Sequence, residues 1–458
     1  MKKVAVSICT VLFAFCLIAC GQHQISETKE EKGEIPTEDR QIEELTDAVD
    51  VILESATAEF IGNYPVTEGF FYWVANTYGS DVIFDIVNKG DVSDKEIWFD
   101  ATGNSIYVLW QGYCDATGLD AYDYSRINYI TTNEEDVISF DFSGDVNLCE
   151  EAATTIYMDQ QTNGILDCFS SDLLEEMQQT DVLVINNEFC YSTRGTPIAG
   201  KAYTFRANPE RVNSLLALGT DLVTLANNHV WDYGLDALND TMDTLSYCNL
   251  DYVGAGKNLT EACRPQYYIA NGRKIAIVDA TQIERSYTYT KQATLDTPGV
   301  LKTLDSKLYC QVIREAKENA DLVIACVHWG TEGNLFYGHD QEKLAKDFVF
   351  AGADAIIGGH THCLQAVEYI ENVPVFYSLG NYWFATTKNM PSDYYTGLAR
   401  LEINKDLEIN LKFIPCQFSK GVTSMLTGDE AKTEYEFLEK LSETTTISDD
   451  GVINRKQK

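Results

Sequence analysis

Between residues 136 and 420, short apolar runs alternate with amphipathic segments whose apolar residues recur at helical spacing. The strand-like runs are 137–142, 181–185, 222–225, 274–278, 322–327 and 355–357. The helix-like segments are 171–178, 209–218, 235–248, 306–319 and 341–351. Strands that alternate with helices are typical of α/β proteins, in which helices pack on sheets. The alternation therefore predicts an α/β fold for the largest part of the chain.

Changes in composition divide the chain into five expected segments. These are a signal segment at 1–20, an acidic disordered tether at 21–40, a small α+β module of unknown role at 41–135, the α/β domain at 136–420, and a polar C-terminal helix and tail at 421–458. Within the module, we expect a helix over 42–56 and a strand pair at 96–99 and 105–109. The aromatic residues 70–73 are interpreted as core rather than as a ligand platform. The C-terminal helix is expected at 429–441, with a frayed end after it.

The N-terminus has the pattern of an export signal. Lys2 and Lys3 precede an apolar run over 4–19, which is shorter than the ~20 residues of a spanning helix. Cys20 follows Leu-Ile-Ala and resembles the lipidated cysteine of the bacterial lipobox. We therefore expect a lipoprotein anchored through Cys20 at the extracytoplasmic face of the membrane, with an uncleaved N-terminal anchor as the alternative. Ten cysteines remain after the signal segment and are scattered singly along the chain. We interpret them as free thiols, although their even number also permits some disulfide bridges.

The charge balance argues against two kinds of electrostatic partner. The chain carries 70 Asp and Glu against 34 Lys and Arg, a formal net charge of −36. Binding to a nucleic-acid backbone requires clustered Lys and Arg. We therefore expect no nucleic acid as a partner, and no electrostatic docking on an anionic bilayer.

Potential metal ligands follow five of the strand-like runs. Four of the six histidines lie at these positions, namely His229, His328, His360 and His362. Ligands of open α/β sheets lie beyond the carboxyl ends of the strands. Together with Asp145 and Asn228, these imidazoles form the mixed donor set that holds two divalent first-row metals. The pattern favours a metal centre suited to phosphoryl chemistry over a chance gathering of structural histidines.

A resemblance to a known family follows from seven motifs in register over 140–418. They are Gly144-Asp145-Val146, Asn186-Asn187-Glu188, Ala226-Asn227-Asn228-His229-Val230-Trp231-Asp232-Tyr233-Gly234, Gly254-Ala255-Gly256-Lys257-Asn258-Leu259, His328-Trp329-Gly330-Thr331-Glu332, Gly359-His360-Thr361-His362 and Ser378-Leu379-Gly380-Asn381. In this order they resemble the CapA family of poly-γ-glutamate capsule synthesis, which is related to the calcineurin-like metallophosphatases. The resemblance implies a four-layer α/β/β/α sandwich.

The same resemblance implies roles for individual residues. The implied metal ligands are Asp145, Glu188, Asn228, His328, His360 and His362. Glu188 takes the place of a bridging aspartate, and His229 would protonate the leaving oxygen or steady the phosphoryl group. Asp232 would orient His229, and a helix N-cap is its equally weighted alternative. The implied cofactors are divalent ions, two in number, of Mn, Zn or Fe. Asn147 stands where the superfamily usually has histidine, which removes one imidazole from the first site and allows one tight and one weak site.

Polar residues outside the ligand set are also candidates for the site. Arg194 and Arg206 could pair with an anionic substrate, and Lys201 is a weaker candidate. Gly380-Asn381 is interpreted as turn chemistry in preference to a side-chain amide near the site. His339 is assigned no role.

These features favour a metal-dependent hydrolase or transferase for phosphoester-type bonds. The resemblance implies that it acts on an anionic envelope polymer or a phosphoester substrate in poly-γ-glutamate capsule synthesis. The alternative is a non-catalytic subunit of a capsule synthesis or export complex that binds a metal or the polymer. Nucleotide hydrolysis is a weaker third hypothesis, because only about 40 polar residues follow the core and leave no room for a separate nucleotide-binding domain.

Overall fold

The structure is a computed structural model that describes residues 44–51, 60–61, 64–65, 68–89, 92, 95–104, 106–117 and 127–456. Residues 44–51 are helical and lie within the helix expected over 42–56. The other helices are α1 (Glu68–Tyr78), α2 (Ser80–Lys89), α3 (Lys95–Thr102), α4 (Ile106–Thr117), α5 (Ala153–Met158), α6 (Ser171–Gln179), α7 (Val212–Ala217), α8 (Leu235–Tyr247), α9 (Leu259–Ala262), α10 (Lys307–Asn319), α11 (His339–Ala351) and α12 (Gly428–Leu441). Two short 3₁₀ helices cover Gly164–Cys168 and Pro209–Arg211. The signal segment, Cys20 and the acidic tether lie outside the described residues.

The strands form two large sheets and three small pairs. They are β1 (Phe60–Ile61), β2 (Tyr64–Pro65), β3 (Ile127–Tyr129), β4 (Ile138–Val146), β5 (Val182–Asn187), β6 (Cys190–Tyr191), β7 (Arg206–Ala207), β8 (Leu222–Thr224), β9 (Asp251–Val253), β10 (Ala255–Gly256), β11 (Gln266–Ala270), β12 (Arg273–Thr281), β13 (Gly299–Val300), β14 (Leu322–His328), β15 (Ala355–Gly359), β16 (Val367–Ile370), β17 (Val373–Phe376), β18 (Asn381–Trp383), β19 (Tyr394–Ile403), β20 (Ile409–Ser419), β21 (Val422–Met425), β22 (Thr445–Ile447) and β23 (Val452–Arg455).

Each large sheet contains a parallel segment, and polar residues follow several of its strands. The seven-stranded sheet has the order β16-β17-β15-β14-β12-β11-β3, and β12, β14, β15 and β17 run parallel. The ten-stranded sheet has the order β22-β23-β20-β19-β4-β5-β8-β9, with β18 beside β4 and β21 beside β20. Within it β4, β5, β8 and β9 are parallel. Parallel pairing places the carboxyl ends of neighbouring strands at one sheet edge, where the candidate ligands follow.

Three apolar clusters show that the two sheets form the inner layers of a four-layer sandwich. The central cluster joins the facing sides of both sheets, with Phe140 and Leu401 from one and Ile275 and Ile324 from the other. A second cluster packs α6 and α8 on the outer face of the ten-stranded sheet, and a third packs α10 and α11 on the outer face of the seven-stranded sheet. The predicted α/β/β/α fold class is confirmed.

The strand pair expected at 96–99 and 105–109 is wrong, because α3 and α4 occupy those residues. Among the described side chains of α4, the buried ones are Ile106, Leu109, Trp110 and Tyr113, which recur at the i, i+3, i+4, i+7 spacing of a helix. The predicted strand covered only residues 105–109, which is too short a segment to reveal the helical spacing of these apolar residues. The aromatic residues Phe70 and Phe71 are buried with them, as expected of core.

The C-terminal end is ordered rather than frayed. Helix α12 begins at Gly428 and buries Ala431, Tyr435 and Leu438 against the central cluster. Strands β22 and β23 then pair with each other, and β23 pairs with β20. The prediction of a frayed end was based on the polar composition of this segment. A short hairpin at a sheet edge needs apolar residues on one face only, so a polar segment can still form one. No helix in the part of the chain that the structure describes is both long and apolar enough to cross a bilayer.

Candidate metal centre

Strand pairing brings candidate ligands from both sheets to one place. In the ten-stranded sheet, Asp145 of β4 lies in register with Asn186 of β5 on one side and with Asn381 of β18 on the other. In the seven-stranded sheet, His328 at the end of β14 pairs with Gly359, the residue before His360. The side chains that follow these strand ends meet across the gap between the two sheets.

Glu188 belongs to two groups of potential metal ligands. The first consists of Asp145, Glu188 and His362, and the second of Glu188, His328 and His360. Within each group the donor atoms all lie within 4.8 Å of one another. Glu188 is thus the one residue shared by both groups, as expected of a carboxylate that bridges two ions.

In the first group, His362 links the two sheets. Its Nδ1 lies 3.4 Å from Asp145 Oδ2 and 2.7 Å from Asn381 Oδ1. The other oxygen of Asp145 accepts a hydrogen bond of 2.7 Å from Asn186 Nδ2. Asn381 therefore contributes its side chain to the site, and its interpretation as turn chemistry alone is wrong.

In the second group, His328 lies at the centre. Its Nε2 is 3.4 Å from Glu188 Oε1, 2.9 Å from Asn228 Oδ1 and 3.2 Å from His360 Nδ1. The predicted ligand Asn228 is therefore placed with the imidazoles, and its side-chain oxygen points into the same space. All six predicted ligands lie in this one cluster.

Two carboxylate oxygens of the cluster are buried and accept no hydrogen bond in the described structure, although each lies 3.4 Å from an imidazole nitrogen. They are Asp145 Oδ2 and Glu188 Oε1, and both residues are fully buried. A buried oxygen that loses water without gaining a partner is costly, and buried carboxylates are normally paired or bound to a metal. A divalent cation would satisfy both oxygens. The donor set of carboxylate, imidazole and amide oxygen thus fits the implied cofactor.

Burial and charge set the protonation of the first group. Burial and the neighbouring charge of Asp145 hold the pKa of Glu188 well above its usual range. Burial would lower the pKa of His362, but the contact with Asp145 and the charge of Glu188 outweigh it and raise that pKa to about 10. The first group therefore retains a proton at neutral pH when no cation is bound.

The histidines of the second group are neutral. Burial is the main cause of the lowered pKa of His328, which falls to about 4, and of the lowered pKa of His360. Neutral imidazole is the form that binds metal ions. The second group is thus already in the protonation state of a ligand set.

His229 lies beside the cluster in a chain of charged contacts. Its Nδ1 is 2.6 Å from Asp232 Oδ2, and its Nε2 is 3.9 Å from Glu188 Oε1. Asp232 Oδ1 forms an ion pair of 2.6 Å with Lys201 Nζ. Helix α8 has Gly234 as its N-cap, so the N-cap alternative for Asp232 is wrong. Asp232 orients the imidazole so that Nε2 faces the ligands.

The backbone at the site departs from ordinary conformations. His360 and His362 both have positive φ, at 91° and 59°. Such values are uncommon for residues with a Cβ and persist where the surrounding structure enforces them, often at functional sites. The Gly144 position excludes any side chain, because a Cβ there would lie 2.0 Å from the carbonyl oxygen of Gly380. This close approach lets Asp145 N donate a 2.8 Å hydrogen bond to the same oxygen.

Other residues named from the sequence make contacts away from the ligand cluster. Arg194 is bound by Asp240, with Nε 3.1 Å from one carboxylate oxygen. Arg206 donates to the carbonyl oxygen of Arg194 and stacks on the ring of Tyr233. Asn147, which replaces an imidazole, uses its side chain to hold the backbone of Cys149 and Ala385. The nine cysteines whose side chains the structure describes are free thiols.

The sequence analysis missed the segment that follows β12. Gln282 N donates 2.9 Å to the carbonyl oxygen of His328, and Thr290 Oγ1 donates 3.0 Å to that of Asn228. Residues 282–290 thus contact the chain beside ligands of both sheets. The sequence did indicate this segment, because the strand-like run 274–278 was predicted within the α/β pattern. Candidate site residues were assigned only after the other five runs.

Comparison with known proteins places this site in a described family. Residues 139–386 match the family model described as bacterial capsule synthesis protein PGA_cap. The chain is 36% identical over 187 residues to the PGA biosynthesis protein CapA of Bacillus subtilis, covering 41% of this chain and 48% of that protein. It is also 36% identical over 233 residues to the capsule biosynthesis protein CapA of Bacillus anthracis, covering 50% of this chain and 55% of that protein. The chain thus spans about half the length of the curated relatives it matches.

Proposed function

Because the chain belongs to the PGA_cap family of bacterial capsule synthesis proteins, we propose that it acts on an anionic envelope polymer or a phosphoester substrate in capsule synthesis. The proposed chemistry is metal-dependent hydrolysis or transfer at a phosphoester-type bond. One observation carries it, which is the pair of ligand groups that share Glu188 beside the His229–Asp232 pair.

The residues divide into those that hold cations and those that handle protons. Asp145, Glu188 and His362 would hold one ion, and Glu188, His328 and His360 with Asn228 would hold the other. Two divalent ions bound there would polarise the phosphoryl oxygens and lower the pKa of the attacking water.

His229 is suited to donate a proton to the leaving oxygen. Asp232 accepts a hydrogen bond from Nδ1, which leaves Nε2 to face the cluster and the substrate. Burial lowers the pKa of His229 to about 4, so the imidazole is neutral in the metal-free protein. Nε2 must therefore take up a proton from solvent before it can give one to the leaving group, and the adjacent Asp232 carboxylate would stabilise the resulting imidazolium.

The family and the N-terminal pattern support a proposal for the location. We place the protein at the extracytoplasmic face of the membrane, held by lipid on Cys20, where the polymer and a capsule synthesis or export complex would be its partners. Labelling of the cells with a clickable fatty acid tests this placement, since a Cys20→Ser variant would remain unlabelled.

Turnover of a generic phosphodiester with added Mn²⁺ tests the chemistry. The full chain is expected to hydrolyse bis-p-nitrophenyl phosphate in a Mn²⁺-dependent manner, and the His360→Ala/His362→Ala variant is expected to be inactive while keeping its fold. If the wild-type chain binds metal but turns over neither this substrate nor the polymer, the hydrolase proposal fails. The remaining function would then be that of a metal- or polymer-binding accessory subunit.

Metal binding is expected to release protons and to strengthen as the pH rises. The raised pKa values of His362 and Glu188 mean that a cation competes with at least one proton near neutral pH. The apparent affinity should fall roughly tenfold per pH unit, for each proton displaced, as the pH is lowered. Calorimetry with Mn²⁺ in buffers of different ionisation enthalpy measures the number of protons. An affinity that is independent of pH across the neutral range would contradict this prediction.

A further inference from the structure

We propose that Arg285 forms an anion-binding subsite at the rim of the metal centre. The subsite would take a carboxylate or phosphate group of the substrate that lies next to the bond to be cleaved. This inference rests on the proposed function for the existence of that substrate, but the oxyanion binding itself is measured separately.

Arg285 is located beside the second ligand group. Its Nη2 donates a hydrogen bond of 3.0 Å to the carbonyl oxygen of Gly330, two residues after His328. A Cβ on Gly330 would contact Thr361, the residue between His360 and His362.

Two cations fix the backbone that carries Arg285. Lys302 is 2% exposed, and its Nζ donates to the carbonyl oxygens of Glu284 and Ser286, the residues on either side of Arg285. The carboxylate of Glu284 lies 3.2 Å from Lys201 Nζ. A side chain presented from a fixed backbone loses less conformational entropy on binding a ligand. The segment therefore holds Arg285 in place before any substrate arrives.

Two other cations named from the sequence, Lys201 and Arg194, are paired with acidic side chains. Lys201 Nζ contacts three acceptors, which are the carbonyl oxygen of Asn228, Asp232 Oδ1 and Glu284 Oε1. Arg194 is bound by Asp240. Lys201 would have to give up a protein partner before it could bind a substrate group, and Arg194 already pairs with Asp236 and Asp240.

Arg285 still has donors to offer. In the described part of the chain, its Nε and Nη1 donate no hydrogen bond, and its one ion pair is with Asp340 at 4.0 Å. The side chain is 49% exposed. A planar guanidinium with free N–H groups binds carboxylate or phosphate through two parallel hydrogen bonds. In a chain of net charge −36, such a local cation is what allows an anion to approach.

Equilibrium binding of two anions tests the subsite. Inorganic phosphate and a γ-linked glutamate tetrapeptide are titrated by calorimetry into the Mn²⁺-loaded and the metal-free full chain. We expect Arg285→Gln to weaken binding of at least one probe by about tenfold to a hundredfold, the worth of a charged hydrogen bond. The anion affinity of Arg285→Lys should be intermediate, because lysine keeps the positive charge but lacks the two parallel N–H groups of the guanidinium. Arg314→Gln, at an exposed position of α10, is the matched control and should bind like the wild type.

The two probes also identify the substrate group. A loss confined to phosphate assigns a phosphate group to the subsite, and a loss confined to the tetrapeptide assigns a carboxylate. Equal affinities of wild type and Arg285→Gln for both probes, at equal metal content and melting temperature, would overturn the subsite. So would a wild-type chain that binds neither probe.

The proposed function can fail independently of the subsite. Arg285-dependent anion binding without any metal-dependent turnover would refute the hydrolase proposal and leave the subsite standing. Turnover of the phosphodiester with anion affinities that Arg285→Gln leaves unchanged would do the reverse.

Discussion

Glu188→Gln is expected to abolish the binding of both divalent ions at once. Glu188 is shared by the two ligand groups, whereas His360 and His362 each belong to one. The exchange of carboxylate for amide keeps the shape of the side chain and removes the charge that a cation requires. We expect metal affinity to fall by more than about a hundredfold, since even residues that only support a ligand cost 10–100-fold.

Single histidine variants should separate the two ions. His360→Ala and His362→Ala are each expected to retain one ion, and the double variant none. Metal content by mass spectrometry of the full chain, purified without chelator and reconstituted with Mn²⁺, gives the stoichiometry. His339→Ala is the matched control, because His339 is exposed and lies at the start of α11, outside both groups.

The stoichiometry series also distinguishes a bridging carboxylate from a simple ligand. If Glu188→Gln loses only one ion, Glu188 serves one group and the shared-ligand geometry is wrong. The metal-free folded state should survive the substitution, because burial holds the pKa of Glu188 well above its usual range and Gln has the shape of the protonated side chain. A melting temperature close to that of the metal-free wild type is therefore expected.

His229→Gln is expected to lower kcat for the phosphodiester by about 10²–10⁴-fold, the usual contribution of a positioned proton donor. The metal content should remain unchanged, because His229 belongs to neither ligand group. KM should change little, since proton donation matters in the transition state more than in substrate binding. Initial rates at saturating Mn²⁺, measured beside the metal content, test this expectation.

Two further variants sharpen this test. Asp232→Asn should lower kcat in the same direction, because the amide can no longer fix the protonated Nδ1 of His229. His339→Gln, at an exposed histidine, should leave kcat as it is in the wild type. A full kcat in His229→Gln would remove His229 from the reaction and leave proton transfer to solvent.

The strand-end pattern predicted the location of the site with few errors. Asp145, Asn228, His328 and the spaced pair His360 and His362 all lie in the cluster that the structure describes. Local pattern sufficed here because parallel strands bring their carboxyl ends to a common edge whatever the intervening chain does. The same reasoning failed for 96–109, where a short window hid the helical period of α4.

The sequence could not decide between two possible roles for the same residue. Asp232 could equally cap a helix or orient an imidazole, and its 2.6 Å contact with His229 decided for the imidazole. In the sequence, Asn381 is interpreted as part of a turn. In the structure, the pairing of β18 with β4 places its side chain against His362. Each outcome depends on contacts between residues far apart in the chain.

The sequence by itself determined the α/β fold class, the family and the set of residues at the strand ends, because these depend on apolar periodicity and on short motifs. The tertiary structure alone decided that Glu188 is common to both ligand groups, and that Arg285 keeps free donors beside the second group while Lys201 is held by three acceptors. The physical reason is that a cation site and an anion site are both defined by unsatisfied polar atoms. Which atoms remain unsatisfied is known only after every other partner in the fold has been placed.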